Sequence, residues 1–203
     1  MINNNHINIK SSLFEDEIKK VIVQYNLEEI IETGTNTGVG STAILARMGI
    51  PVFTLECSPA NAEQAKFNLF GSSHVTVING FSLNKKDMIS FILSDKASHP
   101  QDIMIDALNP IDFYLKEINF DVPENLLLPL IENDKSQLIF LDSAGGVGYL
   151  EYLKVMSLSK EQLSKKVLVL DDIHHVKHYR SVLDLEQKGY LVNKYDRFCI
   201  VKL

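Results

Sequence analysis

A glycine-rich turn between an apolar strand end and a helix constrains this chain more than any other feature. Residues 30–42 read Ile-Ile-Glu-Thr-Gly-Thr-Asn-Thr-Gly-Val-Gly-Ser-Thr. Glycine has no Cβ, so the backbone at Gly34, Gly38 and Gly40 can turn tightly and approach a ligand closely. A helix predicted over about 41–48 directs its unpaired N–H groups back at that ligand. This order of strand, acid, loop and helix predicts a nucleotide-binding βα unit.

The spacing of the glycines argues against two common nucleotide sites. A dinucleotide site needs Gly-x-Gly-x-x-Gly, whereas the spacing from Gly34 is Gly-x-x-x-Gly-x-Gly. A Walker loop needs a lysine before its Ser or Thr, and Ser41 follows Gly40 directly. The pattern instead resembles the first motif of class I S-adenosylmethionine-dependent methyltransferases, with Glu32 two residues before the first glycine. In that family the loop wraps a methionine moiety, and the acid helps to bind its amino group.

Two further strands extend the resemblance. Residues 52–56 read as a short apolar strand that ends in Glu56, where an acid hydrogen-bonds ribose hydroxyls in Rossmann-like sheets; the alternative is a solvated acid that caps the next helix. Residues 75–78 read as a third strand, whose exit loop packs near adenine in the family. Phe81 stands where many members have an acid, so stacking and Ser82 would hold adenine, unless Phe81 is only a core residue. The cofactor contacts that the resemblance implies are Glu32, Gly34, Thr35, Asn36, Gly38, Gly40, Ser41, Glu56, Cys57, Gly80, Phe81, Ser82 and Asp142.

Composition and charge set the outer bounds. With 203 residues and 45% hydrophobic content, the chain can bury one substantial core, and we predict a single domain over residues 1–203. The formal net charge of -6 argues against a nucleic-acid partner, because phosphate backbones attract basic patches. Cys57 and Cys199 are expected to be reduced thiols, and neither a signal peptide nor a membrane span is recognisable. We therefore expect a cytoplasmic protein.

The connection at about 94–129 is less regular than the rest of the chain. It carries four prolines and the aromatic residues Phe113, Tyr114 and Phe120. A long connection inside a compact domain is usually a functional lid or a flexible insertion. We predict a lid that covers a small-molecule substrate, with a disordered or interface-forming loop as the alternative. Its aromatic residues, together with the apolar helix predicted at 12–25, would also suit a homodimer.

The second half of the chain resumes a regular order. Strands are predicted at 136–142 and 166–172, with helices near 149–156 and 178–188. Two short strands within 190–201 then form a hairpin, which fits the antiparallel seventh strand of the class I methyltransferase sheet. The predicted fold class is therefore α/β: a doubly wound, Rossmann-like, mostly parallel sheet with an antiparallel C-terminal hairpin strand.

Three aspartates are predicted at carboxyl ends of strands, where ligands bind in open α/β sheets. They are Asp142, Asp171 and Asp172. Each alone could be an ordinary turn former, but three crowded carboxylates repel one another unless a cation or a proton relieves the repulsion. Hard oxygen ligands select Mg²⁺, Mn²⁺ or Ca²⁺. The trio also resembles metal-dependent O-methyltransferases of the catechol and macrocin types, which implies that it holds Mg²⁺ or Mn²⁺ and that the metal holds substrate oxygens.

The catalytic bases of those two subgroups are missing. Catechol-type enzymes place a lysine a few residues after the first metal aspartate, and macrocin-type relatives place another aspartate two residues after it. Residues 143–146 here are Ser-Ala-Gly-Gly. The nearest candidates are His174 and His175, followed by His178, because histidine titrates near neutral pH. These histidines could instead be helix-start or surface residues, or zinc ligands with an aspartate.

The predicted function is S-adenosylmethionine-dependent methyl transfer to a small molecule, with a hydroxyl oxygen as the expected acceptor and with metal assistance from the three aspartates. We take His174 and His175 as the candidate catalytic residues. One alternative is a metal-independent methyltransferase in which the aspartates only shape the pocket. The other is a cofactor-binding module that has lost transfer chemistry and acts through a protein partner.

Overall fold

The computed structural model describes residues 11–95, 110–143 and 145–203, and in these residues seven strands form one sheet. The strands are β1 Glu29–Thr33, β2 Val52–Glu56, β3 Val75–Asn79, β4 Gln137–Leu141, β5 Lys166–Leu170, β6 Val192–Lys194 and β7 Cys199–Lys202. Their order is β3-β2-β1-β4-β5-β7-β6. The first five pair in parallel, whereas β7 is antiparallel to both β5 and β6. The predicted fold class is confirmed.

The central strands are buried because both faces of the sheet are covered. All five residues of β1, of β4 and of β5 are buried, as is typical of parallel strands between two helical layers. Side chains alternate between the faces. In β4, Phe140 packs against Phe14 at a ring-centroid distance of 5.3 Å, whereas Leu141 belongs to the core cluster of Tyr152 on the other face.

Helices connect and cover the strands. Their bounds are α1 Ser11–Tyr25, α2 Ser41–Leu45 with a 3₁₀ turn Ala46–Met48, α3 Pro59–Asn68, α4 Lys85–Ser94, α5 Pro110–Glu117, α6 Leu127–Ile131, α7 Gly145–Val155, α8 Lys160–Ser164 and α9 Tyr179–Gln187. Ser58 caps α3 by accepting from the N–H of Asn61 at 3.4 Å, and Pro59 opens the helix, as the sequence predicts. None of the described helices combines the length and the apolar character that crossing a bilayer requires.

The helix α5 and the first residues of α6 lie in the connection at about 94–129 that the sequence predicts to be irregular. Residues 96–109 of that connection lie outside the described residues. Leu127 and Ile131 of α6 are fully buried, and the N–H of Leu127 donates to the carbonyl of Ser82 at 2.9 Å. The sequence analysis does not predict these helices because prolines in this segment argue against helix. Pro110, however, is the first residue of α5, a position where a helix tolerates proline. The lid function of this segment stays a prediction.

Candidate functional site

A cavity of about 920 Å³ lies at the carboxyl ends of β1, β2, β4 and β5. Because parallel strands end at the same edge of a sheet, the loops that follow them meet there although they are far apart in sequence. Its wall contains ten residues that the sequence predicts for the cofactor and one that is predicted for both cofactor and metal. These are Gly34, Thr35, Asn36, Gly40, Ser41, Glu56, Cys57, Gly80, Phe81, Ser82 and Asp142. Asp171 and Asp172 also line it.

The three loop glycines meet three different requirements. Gly34 has φ 86°, and a Cβ there would lie 2.3 Å from the carbonyl oxygen of Asp142. Gly38 has φ 74° and faces α3, since its Cβ would lie 2.9 Å from Cδ1 of Leu69. Gly40 lines the cavity, and a Cβ there would meet no atom within 4 Å among the described residues. Of these three glycines, Gly40 is the one at which a side chain would extend into open space at the cavity wall.

Glu32 lies behind the loop, and the described part of the chain places it away from the cavity wall. It is fully buried. The hydroxyl of Thr54 donates to its Oε2 at 2.6 Å, and the hydroxyl of Ser41 donates to its Oε1 at 2.7 Å. Burial raises the pKa of Glu32, while these hydroxyl groups act to lower it. Glu32 ties the start of α2 to β2, and its role in binding an amino group stays a prediction.

Glu56 lies at the wall and joins the end of β2 to the glycine loop. Its Oε2 accepts from the N–H of Asn36 at 2.7 Å, and its Oε1 accepts from the N–H of Ser58 at 2.8 Å. The first contact supports the left-handed backbone of Asn36, whose φ is 52°. Each carboxylate oxygen can accept two hydrogen bonds. Oε1 also accepts from the thiol of Cys57 at 3.8 Å, so Oε2 is the oxygen that keeps capacity for a ligand. Burial raises the pKa of Glu56 and raises that of Cys57 to about 12, so Cys57 is a neutral thiol.

Phe81 is a core residue that also lines the cavity, and its role in holding adenine stays a prediction. It is 4% exposed. Its N–H donates to the carbonyl of Pro123 at 2.8 Å. Gly80 allows this approach, because a Cβ there would lie 2.7 Å from the same carbonyl oxygen. From α5, Phe113 and Tyr114 complete this part of the wall.

The three aspartates come together as the sequence predicts. One carboxylate oxygen from each of Asp142, Asp171 and Asp172 lies within 4.8 Å of the others. The side chains of Lys177 and Arg197 form ion pairs with these carboxylates. Nζ of Lys177 lies 2.5 Å from Oδ1 of Asp142 and 3.0 Å from Oδ2 of Asp172. Arg197 donates from Nε and Nη2 to Asp171 at 2.9 and 2.7 Å, and its Nε lies 2.8 Å from Oδ1 of Asp172.

The electrostatics of this cluster follow from burial and pairing. Burial alone would raise the pKa of Asp171, but the hydrogen bonds from Arg197 and the charge of Lys177 lower it overall. Burial alone would lower the pKa of Lys177, yet the three carboxylates raise it, so the amine is a cation. The pKa of Asp142 is raised by burial and by its two acidic neighbours, against the opposing effect of Lys177.

This cluster does not fit a divalent metal as the chain arranges it. Both oxygens of Asp171 and of Asp172, and one oxygen of Asp142, are paired with Lys177 or Arg197. A metal ion would have to displace these groups and then stand beside a buried ammonium. We therefore derive no chemical step through a metal.

The structure does not bring the predicted histidines to the cavity. His174 is exposed in the turn after β5, while His175 is buried and its Nδ1 accepts from the N–H of Lys177 at 3.3 Å. His178 is fully buried, with its Nε2 3.1 Å from the carbonyl oxygen of Leu141. Within the described wall of the cavity no residue is a histidine. The described residues that group as potential metal ligands are the three aspartates alone, so no zinc site forms there.

Lys177 and Arg197 line the cavity beside the aspartates, and the sequence analysis predicts neither of them for the site. The position of Arg197 could have been predicted from the antiparallel C-terminal strand. Because β7 is antiparallel to β5 and pairs Cys199 with Leu170, the residues just before β7 fall beside the residues just after β5. The position of Lys177 could not have been predicted, because it depends on the irregular turn that follows Asp172. Asp172 itself has φ 50°.

A further buried acid, Glu151 of α7, stands behind the cavity. The hydroxyl of Ser143 donates to its Oε1 at 2.8 Å, and the hydroxyl of Thr33 donates to its Oε2 at 2.9 Å. Ser143 lines the cavity. Burial raises the pKa of Glu151, and the hydroxyl donors, including Ser82, act in the opposite direction.

Comparison with known proteins bears on the fold. No family model and no curated protein matches the sequence. Solved structures do match. An O-methyltransferase from Bacillus cereus in complex with SAH is 18% identical, with a TM-score of 0.54, over 97% of this chain and 84% of that one.

Two more structures give the same result. TomG, an O-methyltransferase from Streptomyces achromogenes involved in tomaymycin synthesis and solved with SAM, is 16% identical, with a TM-score of 0.54, over 96% of this chain and 81% of that one. Cofactor-bound Rv0187 from MTB is 16% identical, with a TM-score of 0.55, over 97% and 82%. The likeness shows that this chain has the α/β fold of class I S-adenosylmethionine-dependent O-methyltransferases.

Proposed function

We propose that this chain transfers the methyl group of S-adenosylmethionine to a hydroxyl oxygen of a small molecule. The observation that carries the proposal is the continuity of the cavity. One wall holds the glycine loop and Glu56, and another holds the cluster around Asp142. A donor and an acceptor can therefore lie in one enclosure, as transfer between them requires. Two solved structures of the same fold contain S-adenosylmethionine or its product S-adenosylhomocysteine.

The residues at the loop end fit the methyl donor. Oε2 of Glu56 keeps hydrogen-bond capacity for a ribose hydroxyl, and Gly40 leaves room at the wall of the same cavity. Phe81 and the neutral thiol of Cys57 offer an apolar surface for adenine. S-adenosylmethionine, when bound, supplies a methyl group on a positively charged sulfur.

The residues at the other end suit an acceptor. Lys177 and Arg197 carry N–H donors at the wall, and the aspartates carry acceptors. Methyl transfer is an in-line displacement, so these groups would act mainly by holding the acceptor oxygen in position for attack. The hydroxyl proton would pass to a carboxylate of the trio. Asp142 is a stronger base than Asp171, because the pKa of Asp142 is raised whereas that of Asp171 is lowered.

The second candidate function is a cofactor-binding module that acts through a protein partner. The observation that favours it is the placement of His174 and His175 away from the cavity wall. Both candidates require cofactor binding, and they differ only in methyl transfer. Divalent-metal assistance, which the sequence predicts, competes with Lys177 for the same carboxylates.

Thermal unfolding with added ligands tests the proposal. S-adenosylhomocysteine should raise the melting temperature, since a ligand that binds only the folded state stabilises it. NAD and ATP should do so much less. Glu56→Ala should reduce the shift, while Glu63→Ala, which removes an exposed acid of α3, should not. An equal shift with NAD would contradict the proposal.

Methyl transfer itself is tested with S-adenosylmethionine and a panel of small hydroxyl compounds, with mass spectrometry to detect methylated products. Transfer to a hydroxyl oxygen supports the enzyme. Cofactor binding without transfer to any acceptor of the panel favours the binding module.

A further inference from the structure

Lys177 places an ammonium group among the three aspartates. Its Nζ lies 2.5 Å from Asp142 and 3.0 Å from Asp172, and only 6% of the residue is exposed. Arg197 holds Asp171 and the other oxygen of Asp172. The position that a divalent ion would take between these carboxylates is thus held by positive charge that belongs to the protein.

The fold fixes Lys177 in this position. After Asp172 the chain makes a tight turn, in which the N–H of His175 donates to the carbonyl of Asp172 at 2.8 Å. Gly148 of α7 lies against this turn. A Cβ at Gly148 would lie 2.9 Å from Cβ of Lys177 and 3.2 Å from Cε1 of His178. Glycine therefore lets the stem of the lysine pass close to α7 and reach the aspartates.

A divalent ion and this ammonium exclude one another. The carboxylate oxygens that could bind an ion lie within 4.8 Å of one another, so an ion among them would be an immediate neighbour of Nζ. Like charges at that separation repel, and solvent screens them little here, because the Lys177 side chain is 7% exposed and those of Asp142 and Asp172 are 19% and 22% exposed. Affinity for a divalent ion also depends on the charge of its ligands, and Lys177 and Arg197 offset two of the three negative charges.

We propose that the Lys177 ammonium takes the place of a divalent cation at Asp142, Asp171 and Asp172, so that the chain binds neither Mg²⁺ nor Mn²⁺ there, and that loss of Lys177 turns the trio into a divalent-metal site. This inference goes beyond methyl transfer. It concerns only the charge balance of the three carboxylates.

Calorimetric titration with MnCl₂ tests the proposal on the wild type and on Lys177→Met. The wild type should give no saturable heat at millimolar metal. Lys177→Met should bind one Mn²⁺ at least about ten-fold more tightly than the wild type, because the ligand set regains its net charge. Lys177→Arg, which keeps a positive charge, should behave like the wild type. The matched control is Lys188→Met, which removes a lysine that pairs with Asp184 on α9.

Two further variants locate the metal and guard against misfolding. The double variant Lys177→Met with Asp172→Asn should bind Mn²⁺ more weakly than Lys177→Met, since it loses a ligand charge. If Lys177→Met does not fold, Gly148→Ala carries the same expectation, because its Cβ displaces the lysine stem. Circular dichroism confirms folding before each titration.

The proposal is overturned by saturable Mn²⁺ binding to the wild type with the affinity of Lys177→Met, or by a folded Lys177→Met that binds no Mn²⁺. Mn²⁺ binding by Lys177→Arg as tight as that by Lys177→Met would also overturn it, since charge would then not be the cause. The titrations use neither methyl donor nor acceptor, so their outcome is independent of the response to S-adenosylhomocysteine.

Discussion

Arg197 holds the fully buried carboxylate of Asp171 from two nitrogens, with Nε 2.9 Å from Oδ1 and Nη2 2.7 Å from Oδ2. A buried carboxylate is stable only when it is paired, because its transfer from water is costly. The pair joins the turn before β7 to the end of β5. It therefore fixes one side of the cavity as well as balancing a charge.

Loss of Arg197 should destabilise the fold strongly. Arg197→Met leaves Asp171 buried without its main partner, which typically costs about 3–5 kcal/mol. Arg47→Met is the matched control, because Arg47 pairs with Glu15 at the surface, where an ion pair contributes about 1 kcal/mol or less. Urea unfolding of the two variants measures the difference. Equal losses would show that Asp171 does not depend on Arg197.

The same pair predicts acid sensitivity. The pKa of Asp171 is lowered in the folded state, so the pair stabilises the fold above the ordinary aspartate pKa of 3.8. This contribution is lost as the pH falls through the lower folded-state value. The stability difference between the wild type and Arg197→Met should therefore shrink below about pH 4.

The site divides into what local sequence determines and what tertiary geometry determines. The glycine loop and Glu56 could be predicted because spacing along one βα unit fixes their positions. The gathering of Asp142 with Asp171 and Asp172 could be predicted too, because parallel strands end at one edge. The neighbours of these aspartates could not, since Lys177 reaches them only through the left-handed turn at Asp172.

The direction of the Glu32 side chain could not be predicted from the sequence either. Its place two residues before Gly34 is evident from the sequence, but its direction is not. Whether it faces the cavity or the core depends on Ser41 and Thr54, whose hydroxyls bind both of its oxygens. The helix α6 was missed for a different reason. Its five residues span little more than one turn and include Pro129, so the sequence shows no helical period, and burial against the core stabilises it.

His178 should make the fold less stable below neutral pH. Its Nε2–H donates to Leu141, and its Nδ1 accepts from Ser181, so the neutral ring is the bonded form. Burial and Lys177 lower its pKa to about 3. Between about pH 6.5 and 3 the unfolded chain binds a proton that the folded chain does not, so stability falls as the pH falls, by at most about 1.4 kcal/mol per pH unit.

Urea unfolding across this range checks the prediction with His178→Gln. The free energy of unfolding of the variant should depend less steeply on pH than that of the wild type. The difference should be at most about 1.4 kcal/mol per pH unit, which corresponds to one bound proton. His174→Gln removes an exposed histidine of the same turn and should keep the wild-type slope. A wild-type slope in His178→Gln would mean that another group causes the pH dependence.

Gly34 and Gly40 should respond differently to substitution. Gly34→Ala places a Cβ 2.3 Å from a backbone oxygen at φ 86°, so it should lose about 2 kcal/mol or more of stability. Gly40→Val meets no described atom within 4 Å of its Cβ and should therefore lose less stability in urea unfolding than Gly34→Ala. Because Gly40 lines the cavity, its variant should nevertheless show a smaller melting-temperature shift with S-adenosylhomocysteine. The opposite order, with Gly34→Ala stable and Gly40→Val unfolded, is the result that contradicts this assignment.

Glu151 should destabilise the fold as it ionises, and replacing it by glutamine should therefore help at high pH. Burial raises its folded-state pKa above the ordinary value of 4.5, so the neutral acid contributes stability that is fully present below pH 4.5 and lost as the pH rises through the folded-state value. Glu151→Gln keeps the shape without the charge, and the hydroxyls of Thr33 and Ser143 can accept as well as donate. The variant should match the wild type near pH 4.5 and exceed it at pH 8, as measured by urea unfolding at both values.

Glu151→Leu separates the charge of Glu151 from its hydrogen bonds. It removes the acceptor of Thr33 and Ser143, so it should be less stable than Glu151→Gln at both pH values, because buried hydroxyls without partners cost free energy. A loss of stability in Glu151→Gln at pH 8 would refute the prediction. The carboxylate charge would then be stabilising the fold, and Lys177, whose charge acts on Glu151, would be the group that requires it. Glu151 would in that case belong to the same charge balance as the three aspartates.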